Sequence, residues 1–369
     1  MSVKKFVIVD GSSLLSTCYY AVLPREILFA KTDEEKQRHY DKILHAGDGT
    51  YTNGIFGVLK AVASLVKRQQ PDHVAFVFDK TRDTFRRELY PDYKGTRTST
   101  PEPLKQQFVL LEQILEDVGF KVLYSDQYEA DDYAGSLVMK FRDQIPMVVM
   151  TKDHDYLQLV DDEHNVRAWM VQARQEKADE LYEKYYGPYG LDKKGINLPE
   201  KTFEFTAEHV YAEEGVWPSQ ITDLKGIQGD TSDNIPGVKG VASAAPLLLN
   251  EYGTVEEVYA VLHEAEQDKK SLKELQDFWK LNLGISRSPY KALTKTGADG
   301  ELCGEAAAML SKQLATIKTD IELDYNLDDF LLSHYDESKL RGWCKKLDIK
   351  EASVFGAGAS GKQNAVHSS

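Results

Sequence analysis

Short runs of apolar residues, many of them β-branched, recur along the chain, and three of these runs end in an acid. They occupy residues 5–10, 73–79 and 146–153. A continuous apolar run of this length is typical of a strand that is buried on both faces of a sheet. The three runs therefore predict strands of one central sheet.

Helical patterns separate these runs. Apolar residues recur at three- and four-residue spacing over residues 55–68 and 104–118, and Pro101 and Pro103 stand just ahead of the second pattern. Strands that alternate with helices indicate a parallel sheet. We therefore predict an α/β fold with a central, mostly parallel sheet flanked by helices.

The acids that close the three runs are Asp10, Asp79 and Asp153. In an open parallel sheet the strand ends that carry ligands lie along one edge, so these side chains should converge. Any one of them could instead be a helix N-cap or a turn residue, but three successive cases favour a site. Acidic clusters at 128–132 and 153–155 strengthen this interpretation, because close carboxylates need a positive charge among them. A divalent metal ion would provide it.

A second region begins near Thr206 and contains a glycine-dense segment at 224–240. Glycines at this density between helical patterns indicate a tight hairpin, and residues 254–257 form a capping-box pattern that opens the next helix. A helix-hairpin-helix unit can offer backbone amides to phosphates, as helix N-termini do. A purely structural turn remains open as the alternative.

The composition is that of a soluble globular protein, with 42% hydrophobic residues and a net charge of -14. We expect a cytoplasmic protein without a membrane segment, because no apolar run approaches 18 residues. The negative charge disfavours a general affinity for nucleic acid, so any such contact must be local. Residues 82–97 hold five basic and three acidic residues with interleaved tyrosines, which suits phosphate or base contacts, although a solvated loop is equally compatible.

Taken together, the motifs resemble those of the 5′-nuclease family, which includes the N-terminal domain of bacterial DNA polymerase I, phage 5′ nucleases and flap endonucleases. The resemblance rests on residues 9–15, 78–97, 128–132, 153–159 and 229–238, and it extends to a closing strand at 315–320. It implies a PIN-like (resolvase-like) catalytic domain over 1–205 with a helical arch near 82–104, and a helix-hairpin-helix DNA-binding subdomain over 206–330. A closing helix at 331–355 and a disordered tail at 356–369 would follow.

The resemblance also implies the residues of the site. One metal ion would be held by Asp10, Asp79, Glu129 and Asp131, with Asp132 nearby, and a second by Asp153, Asp155 and Asp233, supported by Asp230. Both would be Mg²⁺, for which Mn²⁺ can substitute. All seven acids up to Asp155 are expected to be catalytic, together with Lys94 and Arg97, which would contact the scissile phosphate. The implied DNA-binding residues are Arg82, Arg86, Tyr93, Lys94, Arg97, Gly237, Val238, Lys239 and Gly240, with K⁺ at the hairpin.

The implied function is metal-dependent 5′-3′ exonuclease and 5′ flap endonuclease action on DNA, including flap and RNA-primer removal in replication and repair. No polymerase region follows in this sequence, so a separate polymerase is an expected partner. Two alternatives stay open: a PIN-type ribonuclease, and a weakly active or inactive module that binds branched DNA. Thr17 stands where the family usually has an arginine, and residues 241–246 lack the family's lysine-threonine pair after the hairpin.

Overall fold

The computed structural model describes residues 4–81, 83–191, 196–297 and 301–356. Within them the apolar runs form one sheet, whose strands are β1 (Phe6–Asp10), β2 (His73–Val77), β3 (Lys121–Leu123), β4 (Met147–Thr151), β5 (Val166–Val171) and β6 (Thr202–Phe205). The strand order is β3-β2-β1-β4-β5-β6. Strands β1 to β5 are parallel, and β6 is antiparallel to β5. The predicted α/β fold with a mostly parallel sheet is confirmed.

Helices cover the sheet and form the second region. They are α1 (Gly11–Ala21), α2 (Arg25–Phe29), α3 (Asp33–Gln37), α4 (Asn53–Ser64), α5 (Phe85–Leu89), α6 (Glu102–Asp117), α7 (Ala130–Phe141), α8 (Gln175–Tyr186), α9 (Ala207–Glu214), α10 (Ile221–Gln228), α11 (Ala245–Tyr252), α12 (Val255–Ala265), α13 (Lys269–Leu281), α14 (Tyr290–Leu293), α15 (Gly304–Ala315), α16 (Glu337–Lys346) and α17 (Glu351–Phe355). A π-helical turn at Leu65–Gln69 extends α4. The six residues His154–Leu159 form a 3₁₀ helix.

The central strands are buried on both faces, which explains their unbroken apolar character. In β1, Val7 and Val9 join one hydrophobic core, whereas Phe6 and Ile8 join the core on the opposite face. Every residue of β1, β2 and β4 is buried. Because neither face is left to solvent, the sequence carries no polar alternation in these strands.

A third core fills the helical region and reaches the sheet. Residues of β5 and β6, such as Met170 and Phe203, belong to the same buried cluster as Leu224, Leu248 and Leu262 of the helices. The last strand ends at Phe205 and α9 begins at Ala207. The predicted domain boundary at 205/206 therefore falls at the end of a strand, but hydrophobic packing is continuous across it, and the boundary remains a prediction.

The predicted hairpin is present between α10 and α11, and its glycines have a steric reason. Gly229 and Gly237 adopt positive φ angles of 74° and 57°. A Cβ on Gly237 would lie 2.2 Å from the backbone nitrogen of Gly229, so the two arms of the turn touch at this point. The predicted capping box of α12 is also present: the side chain of Thr254 accepts from the amide of Glu257, whose carboxylate reciprocates.

Several details differ from expectation. The closing strand expected at 315–320 is absent from the described residues, because its amides find side-chain acceptors: Ile317 donates to Gln158 Oε1 (2.9 Å) and Lys318 to Asp132 Oδ1 (2.8 Å). The expected arch at 82–104 contains α5 followed by turns. The closing segment forms two helices, α16 and α17, where one was expected. Arg82 and the tail after residue 356 lie outside the described residues.

No helix in the described ranges combines the length and the apolar character that crossing a membrane requires.

Candidate active site

Three neighbouring strands bring the first acids to one edge of the sheet. Asp10 ends β1, and Asp79 and Asp153 follow the adjacent strands β2 and β4 by two residues each. Asp10 Oδ2 accepts a hydrogen bond from Thr151 Oγ1 at the end of β4 (2.7 Å). Asp79 Oδ1 accepts from the amide of Ala130 (2.9 Å), which is the first residue of α7. The convergence predicted from the strand ends is thus confirmed.

The acidic cluster at 129–132 opens α7, as its sequence indicated. Glu129 is the N-cap, and Glu129 and Asp132 form a reciprocal capping box in which the amide of Glu129 donates to Asp132 Oδ2 (3.0 Å). Asp131 lies in the first turn, where the helix dipole favours negative charge. This helix start therefore presents three carboxylates beside those of the sheet.

A buried arginine compensates part of this charge. The guanidinium of Arg86 donates to both oxygens of Asp132 (2.8 and 2.7 Å), and its Nη1 lies 3.8 Å from Glu129 and 3.9 Å from Asp131. Arg86 is 1% exposed and Asp132 is 0% exposed. A bidentate pair of this kind is strong, because both ionised groups are desolvated and each hydrogen bond is charge-assisted.

The second group of acids combines residues after β4 with residues of the hairpin. Asp155 follows Asp153 in the 3₁₀ turn, and its amide donates to Asp153 Oδ1 (3.0 Å). The ammonium of Lys225 in α10 contacts Asp155 Oδ1 and lies 2.7 Å from Asp230 Oδ2. Lys225 therefore joins an acid of the sheet edge to an acid of the hairpin.

Lys94 and Arg97 lie between the two groups. Lys94 pairs with Glu129 Oε2, and its Nζ is 3.6 Å from Asp233 Oδ2. Arg97 pairs with the other oxygen of Asp233. The backbone amide of Lys94 also donates to the carbonyl oxygen of Asp233 (2.8 Å), so the basic segment after α5 is fastened to the hairpin.

The pKa shifts show how closely these charges interact. Burial and the neighbouring Asp79 raise the pKa of Asp10 to about 7. Burial raises the pKa of Asp131 well above its usual range in spite of the nearby Arg86, and burial likewise raises the pKa of Asp153. Against burial, Lys225 and Ser232 lower the pKa of Asp230 to about 2. At Asp10, Asp131 and Asp153 burial therefore outweighs the neighbouring bases, and the fold disfavours their charged form.

The donor set fits a hard divalent cation in chemistry, although no site is preassembled. Among the described residues, no three His, Cys, Asp or Glu side chains stand close enough together to hold a metal ion, and the bases named above lie between them. Yet Oδ1 of Asp131 is buried and accepts no hydrogen bond within the described chain, and the buried Oδ1 of Asp155 contacts the ammonium of Lys225. The first predicted metal group thus contains a buried carboxylate oxygen without a hydrogen bond, and the second contains one that is compensated by a lysine. All-oxygen ligands of this kind suit Mg²⁺ or Mn²⁺.

The predicted DNA-binding residues divide into exposed and buried sets. Arg86 and Tyr93 are 1% and 3% exposed, and the Tyr93 hydroxyl lies 3.3 Å from Glu129 and 3.2 Å from Asp233. This geometry gives no support to a DNA contact for either, and we revise their role to holding carboxylates in place. In the hairpin, the amides of Gly237 and Val238 donate within the protein, to Ser311 Oγ and the carbonyl of Ile227.

Lys239 and Gly240 are exposed on the hairpin and stay predicted contacts. Sequence reasoning missed three polar residues of the site: Thr84, whose hydroxyl donates to Glu129 Oε1 (3.0 Å), Thr151 and Lys225. Thr84 and Lys225 stand inside recognised motifs, but nothing in their spacing identified their acidic partners.

A cleft of about 670 Å³ opens on the acids from one side. Its walls include Asp79 and Glu129 together with Lys94, Arg97 and Lys80. Carboxylates at the base of the cleft and bases along its wall form an arrangement that can accept a phosphate group next to bound cations.

Comparison with known families identifies this arrangement. Residues 5–186 match the N-terminal, resolvase-like domain of 5′-3′ exonucleases, and residues 216–287 match their C-terminal SAM fold. Together the two matches cover more than half of the chain. The chain belongs to the 5′-3′ exonuclease family. Members of this family are hydrolytic nucleases.

Relatives of this chain include DNA polymerase I of Caldicellulosiruptor bescii, which is 31% identical over 349 residues, and DNA polymerase I of Bacillus caldotenax, which is 30% identical over 351 residues. In both cases the alignment covers 94% of this chain but only 33% and 32% of the relative. The chain thus spans about a third of the length of the curated relatives it matches.

Among solved structures, the catalytic core of Rad2 in complex with DNA substrate has a TM-score of 0.50 and 15% identity, covering 94% of this chain and 88% of that one. A T5 5′-exonuclease with bound divalent zinc ions has a TM-score of 0.47 and 20% identity, covering 85% of this chain and 100% of that one. At these identities, the likeness to Rad2 supports the fold alone.

Proposed function

We propose that this 5′-3′ exonuclease is a metal-dependent nuclease that hydrolyses DNA phosphodiesters at or near 5′ ends, acting as an exonuclease and as a 5′ flap endonuclease. The observation that carries the proposal is the meeting of two acidic groups, one from the sheet edge and α7 and one from the β4 end and the hairpin. The first group contains a buried carboxylate oxygen with no hydrogen bond in the described chain, Oδ1 of Asp131.

The charge balance supports two ions. Nine predicted ligands meet four basic side chains, which leaves an excess of up to five negative charges; the bases are Arg86, Lys94, Arg97 and Lys225. Two divalent cations would bring four positive charges. We assign one ion to Asp10, Asp79, Glu129 and Asp131, and the other to Asp153, Asp155, Asp230 and Asp233. Asp132 is the exception within the predicted set, because Arg86 already occupies both of its oxygens.

Two Mg²⁺ ions, or Mn²⁺ in their place, would activate a water molecule and stabilise the charge of the transferred phosphate. The protein's own residues would orient the substrate. Lys94 and Arg97 line the cleft, and we assign them the binding of the scissile phosphate, which would displace Glu129 and Asp233 as their partners. The positive charges of Lys94 and Arg97 would then be compensated by carboxylates before the substrate binds and by the phosphate afterwards.

Duplex DNA would extend from the cleft toward the hairpin. Lys239 and Gly240 are exposed there and remain available for phosphates. We keep K⁺ as a proposed ligand of this hairpin. The chain's net charge of -14 makes the contact local, so binding should weaken steeply as salt rises. Flaps, nicked or branched duplexes and RNA-DNA primers are the proposed substrates, in cytoplasmic replication and repair and with a separate DNA polymerase as partner.

Incubation of a 5′-labelled flap duplex with the protein, with and without Mg²⁺, tests the proposal. We expect release of labelled product only with Mg²⁺, and none from a variant in which Asp131 is replaced by asparagine. A matched RNA flap separates the alternatives: preferential RNA cleavage would indicate a PIN-type ribonuclease. Binding of branched DNA without any Mg²⁺-dependent cleavage would indicate a binding module, and would overturn the proposal.

A further inference from the structure

Lys225 occupies the centre of the second acidic group, although the predicted chemistry gives it no role. Its ammonium contacts the buried Oδ1 of Asp155 and lies 2.7 Å from Asp230 Oδ2. The side chain is 16% exposed. A cation therefore already sits between two carboxylates that are proposed to share a metal ion.

This position differs from those of the other bases. Arg86 is held by carbonyl oxygens as well as by Asp132, so it cannot leave without breaking several hydrogen bonds. Lys94 and Arg97 belong to the segment that faces the cleft and can turn toward a substrate. Lys225 is anchored in α10, which packs in the core of the helical region through Leu224 and Ile227, and only its flexible stem can move.

We propose that Lys225 is a resident counter-cation of the second metal group, which neutralises Asp155 and Asp230 in the ion-free protein and must give way when a divalent ion binds. The inference rests on the proposed function. Its physical basis is that the Lys225 ammonium and the divalent ion compete for the same carboxylate oxygens. The free energy of metal binding is therefore reduced by the free energy of the Lys225 ion pairs that must be broken. Lys225 thereby sets the concentration of ion at which this group fills.

The first test is Mn²⁺ binding, measured by calorimetry in the full-length protein without DNA. Lys225→Gln should bind the Mn²⁺ ion of the second group about tenfold more tightly than the wild type, equivalent to ~1.4 kcal/mol. The same variant should melt at a lower temperature in EDTA and gain more from added Mn²⁺, because the ion then replaces a missing charge.

Lys312→Gln is the matched control. Lys312 also bridges two acids, Asp223 and Glu256, at 2.7 Å each and with similar exposure of 23%, but it lies outside both predicted metal groups. Its loss should lower stability and leave Mn²⁺ affinity unchanged. An unchanged or weakened Mn²⁺ affinity in Lys225→Gln would overturn the proposal.

A second measurement uses only the wild type, so that it does not depend on the folding of a variant. Amine labelling followed by mass spectrometry reports the accessibility of each lysine. Lys225 should be labelled faster with saturating Mn²⁺ than in EDTA, while Lys312 should not change; equal or slower labelling of Lys225 would refute its displacement.

The two proposals can fail separately. If the wild type binds Mn²⁺ and cleaves flap DNA but Lys225→Gln binds Mn²⁺ no better, only the role of Lys225 is wrong. If the wild type binds no Mn²⁺ at all, the metal-dependent function falls and the role of Lys225 falls with it.

Discussion

Among the bases of the site that the structure describes, only Arg86 is fully buried, so its replacement should have a large effect on stability. Its guanidinium donates to both oxygens of Asp132 and to the carbonyl oxygens of Leu314 and Thr316, the last two at 3.0 Å. Arg86→Met keeps most of the apolar stem and removes the charge and all four hydrogen bonds. The change leaves a buried carboxylate among two others without its compensating base.

The magnitude follows from these contacts. Breaking a buried ion pair by removing one partner costs about 3–5 kcal/mol, because the remaining charge stays desolvated. Two carbonyl oxygens also lose a donor, at about 1 kcal/mol each. We therefore expect a loss of at least about 5 kcal/mol in total.

Urea unfolding in EDTA measures this loss without interference from bound ions. Arg87→Met is the matched control, because Arg87 is the next residue along the chain and pairs with the exposed Asp83 at 2.7 Å. Exposed pairs of this kind contribute only about 0.3–0.5 kcal/mol to stability. A double variant, Arg86→Met with Asp132→Leu, should recover part of the loss, because the carboxylate that paired with both guanidinium nitrogens is then gone, while the amides of Glu129 and Lys318 lose their acceptor. A loss below ~1 kcal/mol for Arg86→Met alone would refute the reasoning.

Three further predictions concern the site and its surroundings. Asp131→Asn should abolish flap cleavage yet raise the free energy of unfolding in EDTA by on the order of 1 kcal/mol, because burial raises the pKa of Asp131 and disfavours its charge; lower stability in urea titrations would contradict this. Lys94→Ala should slow single-turnover cleavage by about 100-fold while changing the Kd for DNA little, and an unchanged rate would remove Lys94 from the site. Lowering the pH from ~7 to ~5 should destabilise the start of α9, because burial lowers the pKa of His209. The contribution of the neutral imidazole to stability is therefore present above the ordinary pKa of histidine and is lost as the pH falls, since protonation removes the acceptor for the amide of Thr206. His209→Gln should flatten this pH dependence in urea titrations, and an identical slope would show that other groups cause it.

The sheet and the acidic edge could be predicted because they depend on local pattern. Burial on both faces imposes an unbroken apolar run, and the parallel order of β1, β2 and β4 then fixes where Asp10, Asp79 and Asp153 come together. The same logic works for the start of α7, where the acids are also the favoured capping residues. These conclusions need only the pattern of apolar residues along the chain and the rule that parallel strands end at the same edge of a sheet.

The charge partners could not be predicted in this way, because they join positions that are distant in sequence. Arg86 and Asp132 are 46 residues apart, and the sequence offered Arg86 as a surface base in a basic segment. Its guanidinium is held by the carbonyl groups of Leu314, near the end of α15, and Thr316, which are 228 and 230 residues away. The expected strand at 315–320 failed for a related reason, since Asp132 and Gln158 supply the acceptors that a neighbouring strand would have given.

Folding and catalysis make opposite demands on the bases of this site, and their burial suggests how the protein meets both. Arg86 at 1% exposure is held by backbone as well as by carboxylate, so it can serve as a permanent counter-charge that positions α7. The side chains of Lys94 and Lys225 are 14% and 16% exposed, and the ammonium of each pairs with carboxylates of the site. Because the proposed ions compete for those same carboxylates, the two lysines should stabilise the ion-free fold and release the acids on loading. A site built from permanent bases alone would fold equally well but would leave no oxygen free for a metal ion.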